Sequence, residues 1–282
     1  MAEIERGIKI KQPRSNKGEK KMSKVASIQC WFTDEDSKED RIRHVEELID
    51  RAADADLILL PEVWNIGWYS FEMYHDGSET LQGETISRLA EKARAVKAYI
   101  LAGSIVERAD DGLYNTAVLL DPKGKIIATY RKMHLFNLMG SQETVLLKRG
   151  RDIVAVKTEL GVLGLSTCYD LRFPELYRKM AINKGVEVFL LIAAWPLVRL
   201  ENWVELSHAR ANENQCYLIS CDCAGFNRGN QYLGHSAIVD PHGVSIASGG
   251  IFEWIVRGEI DIAEVYKFRK EAPHLQNRIL PV

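Results

Sequence analysis

Cys168 stands between two different local signals. The run before it, Gly161-Val-Leu-Gly-Leu-Ser-Thr167, is small and apolar, and a helix signal opens six residues later at Pro174. Proline suits a first helical position, where its fixed φ fits and its missing N–H would have no partner anyway. A cysteine on such a strand-to-helix connection is presented at a sheet edge, near backbone N–H groups. That setting suits a thiolate nucleophile, because helix N-terminal amides and nearby cations lower a cysteine's pKa. Taken alone, the segment fits a small buried apolar side chain equally well.

Two carboxylates and an ammonium are candidates to work with it. Glu62 ends the apolar run Leu57 to Pro61 and is followed by Val63-Trp64. An ionised carboxylate there loses hydration, so it must be paired or carry a raised pKa, and a raised pKa suits a general base near neutrality. The plainer reading is a glutamate emerging from a strand end into water. Lys132 lies in Tyr130-Arg-Lys-Met-His-Leu-Phe136. Held beside a reacting carbonyl, it would stabilise an oxyanion and help keep a thiol ionised; as one of a basic cluster, it would be solvated. Glu143, in Gly140-Ser-Gln-Glu-Thr144, reads by itself as a surface residue.

The other cysteines are Cys30, Cys216, Cys221 and Cys223. Structural zinc takes four ligands, commonly from paired Cys-x2–4-Cys units, and no second pair follows Cys221-Asp-Cys223. The reading is core packing without a metal, with a zinc site as the lesser alternative. Five cysteines in 282 residues fit a reduced, cytoplasmic protein better than a disulfide scaffold.

With 46% hydrophobic residues the chain can bury a large core, and its net charge of −2 argues against nucleic acid as the default partner. The longest apolar run, Val188 to Val198, is about half of the roughly 20 residues a membrane span needs. Residues 1–23 are polar and rich in Lys and Arg, without the apolar segment of a secretory signal, and are expected to be a disordered extension. Met22, just before the first regular element, is a candidate start.

Strands are expected at Val25–Cys30, Leu57–Leu60, Tyr99–Val106, Val186–Ala194 and Cys216–Cys221. Helices are expected behind the Ser37/Asp40 capping pattern, with Ile42, Val45, Leu48, Ile49 and Ala52 on one face, and over Glu84–Lys97, Pro174–Lys184 and Glu201–Asn214. Alternation of this kind implies an α/β architecture. Thr116-Ala-Val-Leu-Leu-Asp-Pro-Lys-Gly-Lys-Ile-Ile-Ala128 resembles Ser236-Ala-Ile-Val-Asp-Pro-His-Gly-Val-Ser-Ile-Ala247. Each reads as a hairpin around an Asp-Pro-x-Gly turn, so two similar halves are expected within one domain over residues 24–282.

The ordered set Leu60-Pro-Glu62-Val-Trp, Tyr130-Arg-Lys132-Met-His-Leu-Phe and Cys168-Tyr-Asp-Leu-Arg-Phe-Pro-Glu175 resembles the carbon–nitrogen hydrolase (nitrilase) superfamily. Ala209-Arg-Ala-Asn-Glu-Asn-Gln215, Gly234-His-Ser-Ala-Ile-Val-Asp-Pro-His-Gly243 and Glu259-Ile-Asp-Ile262 extend the resemblance. It implies a four-layer α-β-β-α sandwich with two pseudo-equivalent halves and no cofactor. It further implies Cys168 as nucleophile, Glu62 as general base and Lys132 as oxyanion stabiliser, helped by the Tyr169 N–H. Glu143 would orient the lysine or the substrate. Homodimers or larger assemblies are common in the superfamily, and Ile251–Val256 with the tail Arg278–Val282 would suit such an interface.

Cys-Tyr-Asp-Leu-Arg-Phe-Pro-Glu is similar to the ω-amidase branch, which hydrolyses the terminal amide of short dicarboxylate monoamides such as 2-oxoglutaramate. By that resemblance Arg172 would bind the substrate's distal carboxylate and Trp195 would line the pocket. A guanidinium fork fits a carboxylate in two-point geometry, but an ion pair of Arg172 with Asp170 or Glu175 is an alternative use, and Trp195 equally fits packing at a strand end. Competing functions are an aliphatic nitrilase or N-carbamoyl amino-acid amidohydrolase, a non-catalytic interaction module, and a redox-sensing thiol protein.

Overall fold

The computed structural model describes residues 22–138 and 140–282. Residues 1–21 of the expected extension lie outside that range, while Ser23 already belongs to the first strand. The first half comprises β1 (Ser23–Gln29), the short β2 (Trp31–Phe32), α1 (Lys38–Arg51), β3 (Leu57–Leu59), α2 (Glu84–Val96), β4 (Tyr99–Ala109), β5 (Gly112–Leu120) and β6 (Ile126–Arg131). One helical turn, α3 (Glu143–Leu146), precedes the second half: β7 (Ala155–Thr158), β8 (Gly161–Thr167), α4 (Pro174–Asn183), β9 (Val188–Ala193), α5 (Leu200–Asn214) and β10 (Tyr217–Asp222). There follow β11 (Ala224–Asn227), β12 (Asn230–Gln231), β13 (Ala237–Val239), β14 (Ser245–Ser248), β15 (Trp254–Ile260) and α6 (Ile262–Glu271).

Two six-stranded sheets share one topology, in the orders β15-β1-β3-β4-β5-β6 and β7-β8-β9-β10-β13-β14. In each, three parallel strands are joined by two helical crossovers, α1 and α2 or α4 and α5. An antiparallel hairpin extends one edge and a single antiparallel strand the other. The expected repeat is therefore real, down to its turns. Asp121 Oδ1 accepts from the N–H groups of Lys123 and Lys125 at 2.8 and 2.9 Å. Asp240 Oδ1 accepts from His242 and Val244, both at 2.9 Å. Such aspartate-to-backbone bonds are what make Asp the favoured opening residue of a turn.

Strand alternation separates the layers. Leu57 and Leu59 of β3 face the inter-sheet core with Val188, Leu190 and Ile192 of β9. Ile58 and Leu60 face the other way, against Ile42, Val45 and Ile49 of α1. Phe189 and Leu191 pack instead beneath α4 and α5. Each sheet is thus covered on both sides, which is why its parallel strands read as continuous apolar runs. The result is the four-layer α-β-β-α sandwich.

The elements follow their local signals closely. Asp40 N–H donates to Ser37 Oγ at 3.1 Å and Ser37 N–H to Asp40 Oδ2 at 3.3 Å, closing the capping box of α1. Pro174 is the first residue of α4. The strand expected over Tyr99–Val106 runs on to Ala109 because β4 and β5 form a long hairpin turning at Asp110-Asp111. The stretch Ile251–Val256 divides its use. Ile255 and Val256 are buried where β15 pairs with β1, whereas Phe252 and Trp254 are exposed. The cysteines fall in separate layers: Cys30 and Cys223 on the α1 side, Cys221 between the sheets, and Cys216 beneath α5.

One irregularity positions the site. The β4–β5 register shifts between Leu101 and Ser104. Beyond the shift, Ser104 N–H donates to the Pro61 carbonyl at 3.2 Å and Ser104 Oγ accepts from Val63 N–H at 3.1 Å, so both residues flanking Glu62 hang on this bulge. Gly103 sits there at φ +70°, and a Cβ on it would lie 2.0 Å from the Pro61 carbonyl oxygen. Gly103→Ala is expected to cost about 1–3 kcal/mol of stability, as overpacking does. Because the clash pushes on Pro61, turnover should fall further than the folded fraction does. Denaturant titration alongside kcat on the folded protein checks both.

Candidate active site

The site forms where the parallel strands of the two sheets end. Glu62 follows β3, and Val63 after it takes φ +43°, a left-handed conformation that a β-branched residue rarely adopts. Cys168 follows β8, takes φ +50°, and opens a 3-10 turn over Cys168–Arg172 before α4. Strained backbone at both residues persists only where surrounding bonds hold it. For the turn these come from Asp170. Its carboxylate accepts from Thr167 N–H at 2.9 Å, Tyr130 Oη at 2.7 Å and His134 N–H at 3.1 Å, and His134 Nδ1 lies 2.7 Å away. Asp170 thereby ties the turn of Cys168 to the segment that carries Lys132.

Lys132, Glu62 and Glu143 are completely buried. Lys132 Nζ donates to Glu62 Oε1 at 2.8 Å and to Glu143 Oε1 and Oε2 at 2.9 and 3.0 Å. Asn115, beside Lys132 in the β5–β6 pairing, gives its Nδ2 to Glu62 Oε1 at 2.7 Å and Glu143 Oε1 at 3.1 Å. Phe136 N–H donates to Glu143 Oε2 at 2.6 Å and Ala194 N–H to Glu62 Oε2 at 2.9 Å. Glu143 is thus a buried partner of the lysine and not the surface residue its loop suggests.

Burial sets the protonation chemistry. Loss of hydration works against the Lys132 ammonium, but the charges of Glu143 and Glu62 outweigh it, so the group is held firmly cationic. Burial pushes the Glu62 carboxyl above its ordinary value, aided by the Glu143 charge and opposed by Lys132. Cys168 is 7% exposed, and the Glu62 carboxylate, Lys132 and the Ala194 N–H are the neighbours that act on its thiol. Here the structure corrects the expectation of a lowered thiol pKa. Desolvation and the Glu62 charge push Cys168 well up, and Lys132 and the Ala194 amide only partly offset them. The resting sulfur is a protonated thiol with a base beside it.

Cys168 forms the floor of a cavity of about 220 Å³ walled by Trp68, Tyr69, Phe136, Tyr169 and Trp195. That is below the range for drug-sized ligands and suits a small metabolite. Arg172 and Arg199 also line it. Arg172 makes no ion pair with Asp170 or Glu175. Its Nη2 donates to Asn202 Oδ1 at 3.1 Å and its guanidinium lies 5.0 Å from the Trp195 ring centroid. Trp195 serves both uses expected of it, since it lines the cavity while packing against Trp203, and its backbone N–H donates to Asp222 Oδ1 at 2.7 Å. As the second residue of a 3-10 turn, Tyr169 has a backbone N–H that the turn itself leaves unpaired. Among the described residues no cluster of three or more His, Cys, Asp or Glu makes a metal-type ligand set.

All seven residues singled out in the sequence therefore meet here: Glu62, Lys132, Glu143 and Cys168 at the reacting end, Arg172, Tyr169 and Trp195 around the cavity. Sequence reasoning missed Asn115, Tyr69 and Arg199. Asn115 directly precedes the first hairpin segment and is found only through strand register. Tyr69 and Arg199 lie on loops whose path no periodicity encodes.

The model of the carbon–nitrogen hydrolase family matches residues 24–270. A protein of Paenarthrobacter nicotinovorans named 2-oxoglutaramate amidase is 36% identical over 90% of this chain and 88% of its own length. One of the same name from Bacillus subtilis is 38% identical over 83% of this chain and 89% of its own. The crystal structure of Saccharomyces cerevisiae Nit3, described as a member of branch 10 of the nitrilase superfamily, superposes with a TM-score of 0.83 at 29% identity. It covers 92% of this chain, and the chain covers 97% of it. Fold, buried constellation and sequence similarity across almost the whole chain agree: this protein belongs to the carbon–nitrogen hydrolase family.

Proposed function

We propose that the chain hydrolyses the terminal amide of a short carboxylate-bearing substrate, of the kind represented by 2-oxoglutaramate or succinamate, through a cysteine thioester. The observation that carries this reading is the Cys168 thiol beside a buried carboxylate that shares its Oε1 with a buried ammonium. Glu62 takes the thiol proton as sulfur attacks the amide carbon. The oxyanion of the tetrahedral intermediate faces Lys132 and the Tyr169 N–H, whose positive charge and dipole are fixed in advance. Glu62 returns the proton to the departing nitrogen, the C–N bond breaks and ammonia leaves. Water then enters, Glu62 removes its proton, and attack on the thioester carbonyl forms a second tetrahedral intermediate. Its collapse breaks the C–S bond, frees the carboxylic acid and restores the thiol.

Glu143 acts through Lys132. Its two-point contact with Nζ fixes the ammonium and leaves Glu62 free to accept protons. Arg172 holds the substrate carboxylate at the far end of the cavity, and Trp195 and Tyr169 shape the walls. The enzyme is read as a cytoplasmic homodimer. Five unpaired thiols support the compartment. Exposed Phe252 and Trp254, with Ile279 and Leu280 of the tail, support an association surface. No helix among the described residues is long and apolar enough to cross a membrane.

Ammonia release from 2-oxoglutaramate and succinamate, set against an aliphatic nitrile and an N-carbamoyl amino acid, tests the substrate class. A preference for either of the latter would replace this reading with a nitrilase or a carbamoylase. Cys168→Ala should abolish turnover with an unchanged circular dichroism spectrum; retained activity would remove the thioester. Glu62→Gln should lower kcat by about 10²–10⁴-fold, the usual contribution of a general base. The base must be ionised to work and its carboxyl is raised. The wild-type kcat/KM should therefore fall as pH drops through a value above the ordinary 4.5 of a glutamate. Whatever activity Glu62→Gln keeps should lack that acid limb. Arg172→Gln should raise KM for carboxylate-bearing amides far more than for acetamide-like ones.

A further inference from the structure

Two arginines line the same small cavity, and one indole touches both, the guanidinium of Arg172 and the backbone of Arg199. The Arg172 guanidinium lies over the face of Trp195, whose Nε1 donates to the Arg199 carbonyl oxygen at 3.1 Å. Arg172 is further fixed by Asn202. Burial and the Arg199 charge both depress the Arg172 pKa, so the cations are near enough to disfavour each other. Among the described residues no acidic side chain lines the cavity, and Arg228 at its wall is bridged to Asp34 and Glu72.

One guanidinium suffices to hold one carboxylate in two-point geometry. A second cation set against the first is useful when the ligand brings further acceptor oxygen beside that carboxylate. It is also a barrier to any ligand with positive charge at the same place, because like charges brought together in a poorly solvated site are costly. We infer that Arg199 is a specificity-determining residue that reads the carbon next to the substrate's carboxylate, donating to a 2-oxo oxygen and rejecting a 2-ammonium group. The inference rests on the amidase reading and deepens it. It explains how this site would separate the amide of a 2-oxo acid from the amide of an amino acid of the same length.

Three ligands of one chain length test it: 2-oxoglutaramate, glutaramate and L-glutamine, which carry oxo, hydrogen and ammonium at the carbon in question. Binding to Cys168→Ala is measured by calorimetry, and kcat/KM is measured with Cys168 present. Arg199→Gln should weaken binding and kcat/KM for 2-oxoglutaramate by about 10–100-fold, the worth of a hydrogen bond to a charged group. Glutaramate should stay within about threefold, and L-glutamine should bind no more weakly than before. Arg199→Lys, which keeps the charge, should still reject L-glutamine. Equal losses for 2-oxoglutaramate and glutaramate, an unchanged preference among the three, or no binding of 2-oxoglutaramate to Cys168→Ala would overturn the assignment. Failure of the wild type to release ammonia from any ω-amide would sink the amidase reading alone, since the binding preferences still judge Arg199.

Discussion

A fully buried ammonium between two fully buried carboxylates is the constraint around which this molecule is arranged. Removing such groups from water costs several kcal/mol per ion, and mutual attraction compensates only where the geometry is good and the remaining lone pairs are satisfied. Each requirement can be traced to a named donor. Glu62 is completed by Asn115 and the Ala194 N–H, Glu143 by Asn115 and the Phe136 N–H. Burial, with the Glu143 charge added to it, raises the proton affinity of Glu62 against the pull of Lys132. Burial and the Glu62 charge together keep the neighbouring sulfur protonated.

The two-sheet architecture makes this cluster possible. Ligand sites in α/β folds lie beyond the carboxyl ends of parallel strands, and here two sets of such ends, from β3 and from β8, are brought face to face across an inter-sheet core. The β4 bulge then fixes the turn carrying Glu62, and Asp170 fixes the turn carrying Cys168. Glu62 and Cys168 are thus held by different sheets, and the close packing between those sheets fixes how they meet.

Much of this was legible beforehand, and the physical reason is plain in particular elements. Leu57–Leu60 could be read as a doubly covered strand because both faces are apolar. Ser37 with Asp40, and Pro174, mark helix starts through local bonding that needs no tertiary knowledge. The Asp-Pro-x-Gly turns declared the repeat because the aspartate bonds only its own backbone. Asn115 escaped because its role depends on which residue lies opposite in a ladder. Arg199 and Tyr69 escaped because a loop's path is set by what it packs on. The direction of the Cys168 shift was misread for a related reason. Helix amides and a cation were visible in the sequence, whereas the depth of burial and the closeness of the Glu62 charge to the sulfur were not.

The repeat carries a further consequence. Cys30 follows the first strand of its sheet just as Cys168 follows the first parallel strand of the other, so sulfur occupies corresponding places twice. Cys30 is sealed beneath α1, fully buried, with the Ile28 carbonyl as its hydrogen-bond partner among the described residues. The site is divided unevenly between the halves: one contributes Glu62 and Lys132, the other Cys168, Arg172 and Arg199. Neither half holds a sufficient set, so the symmetry of the scaffold ends where reactivity begins.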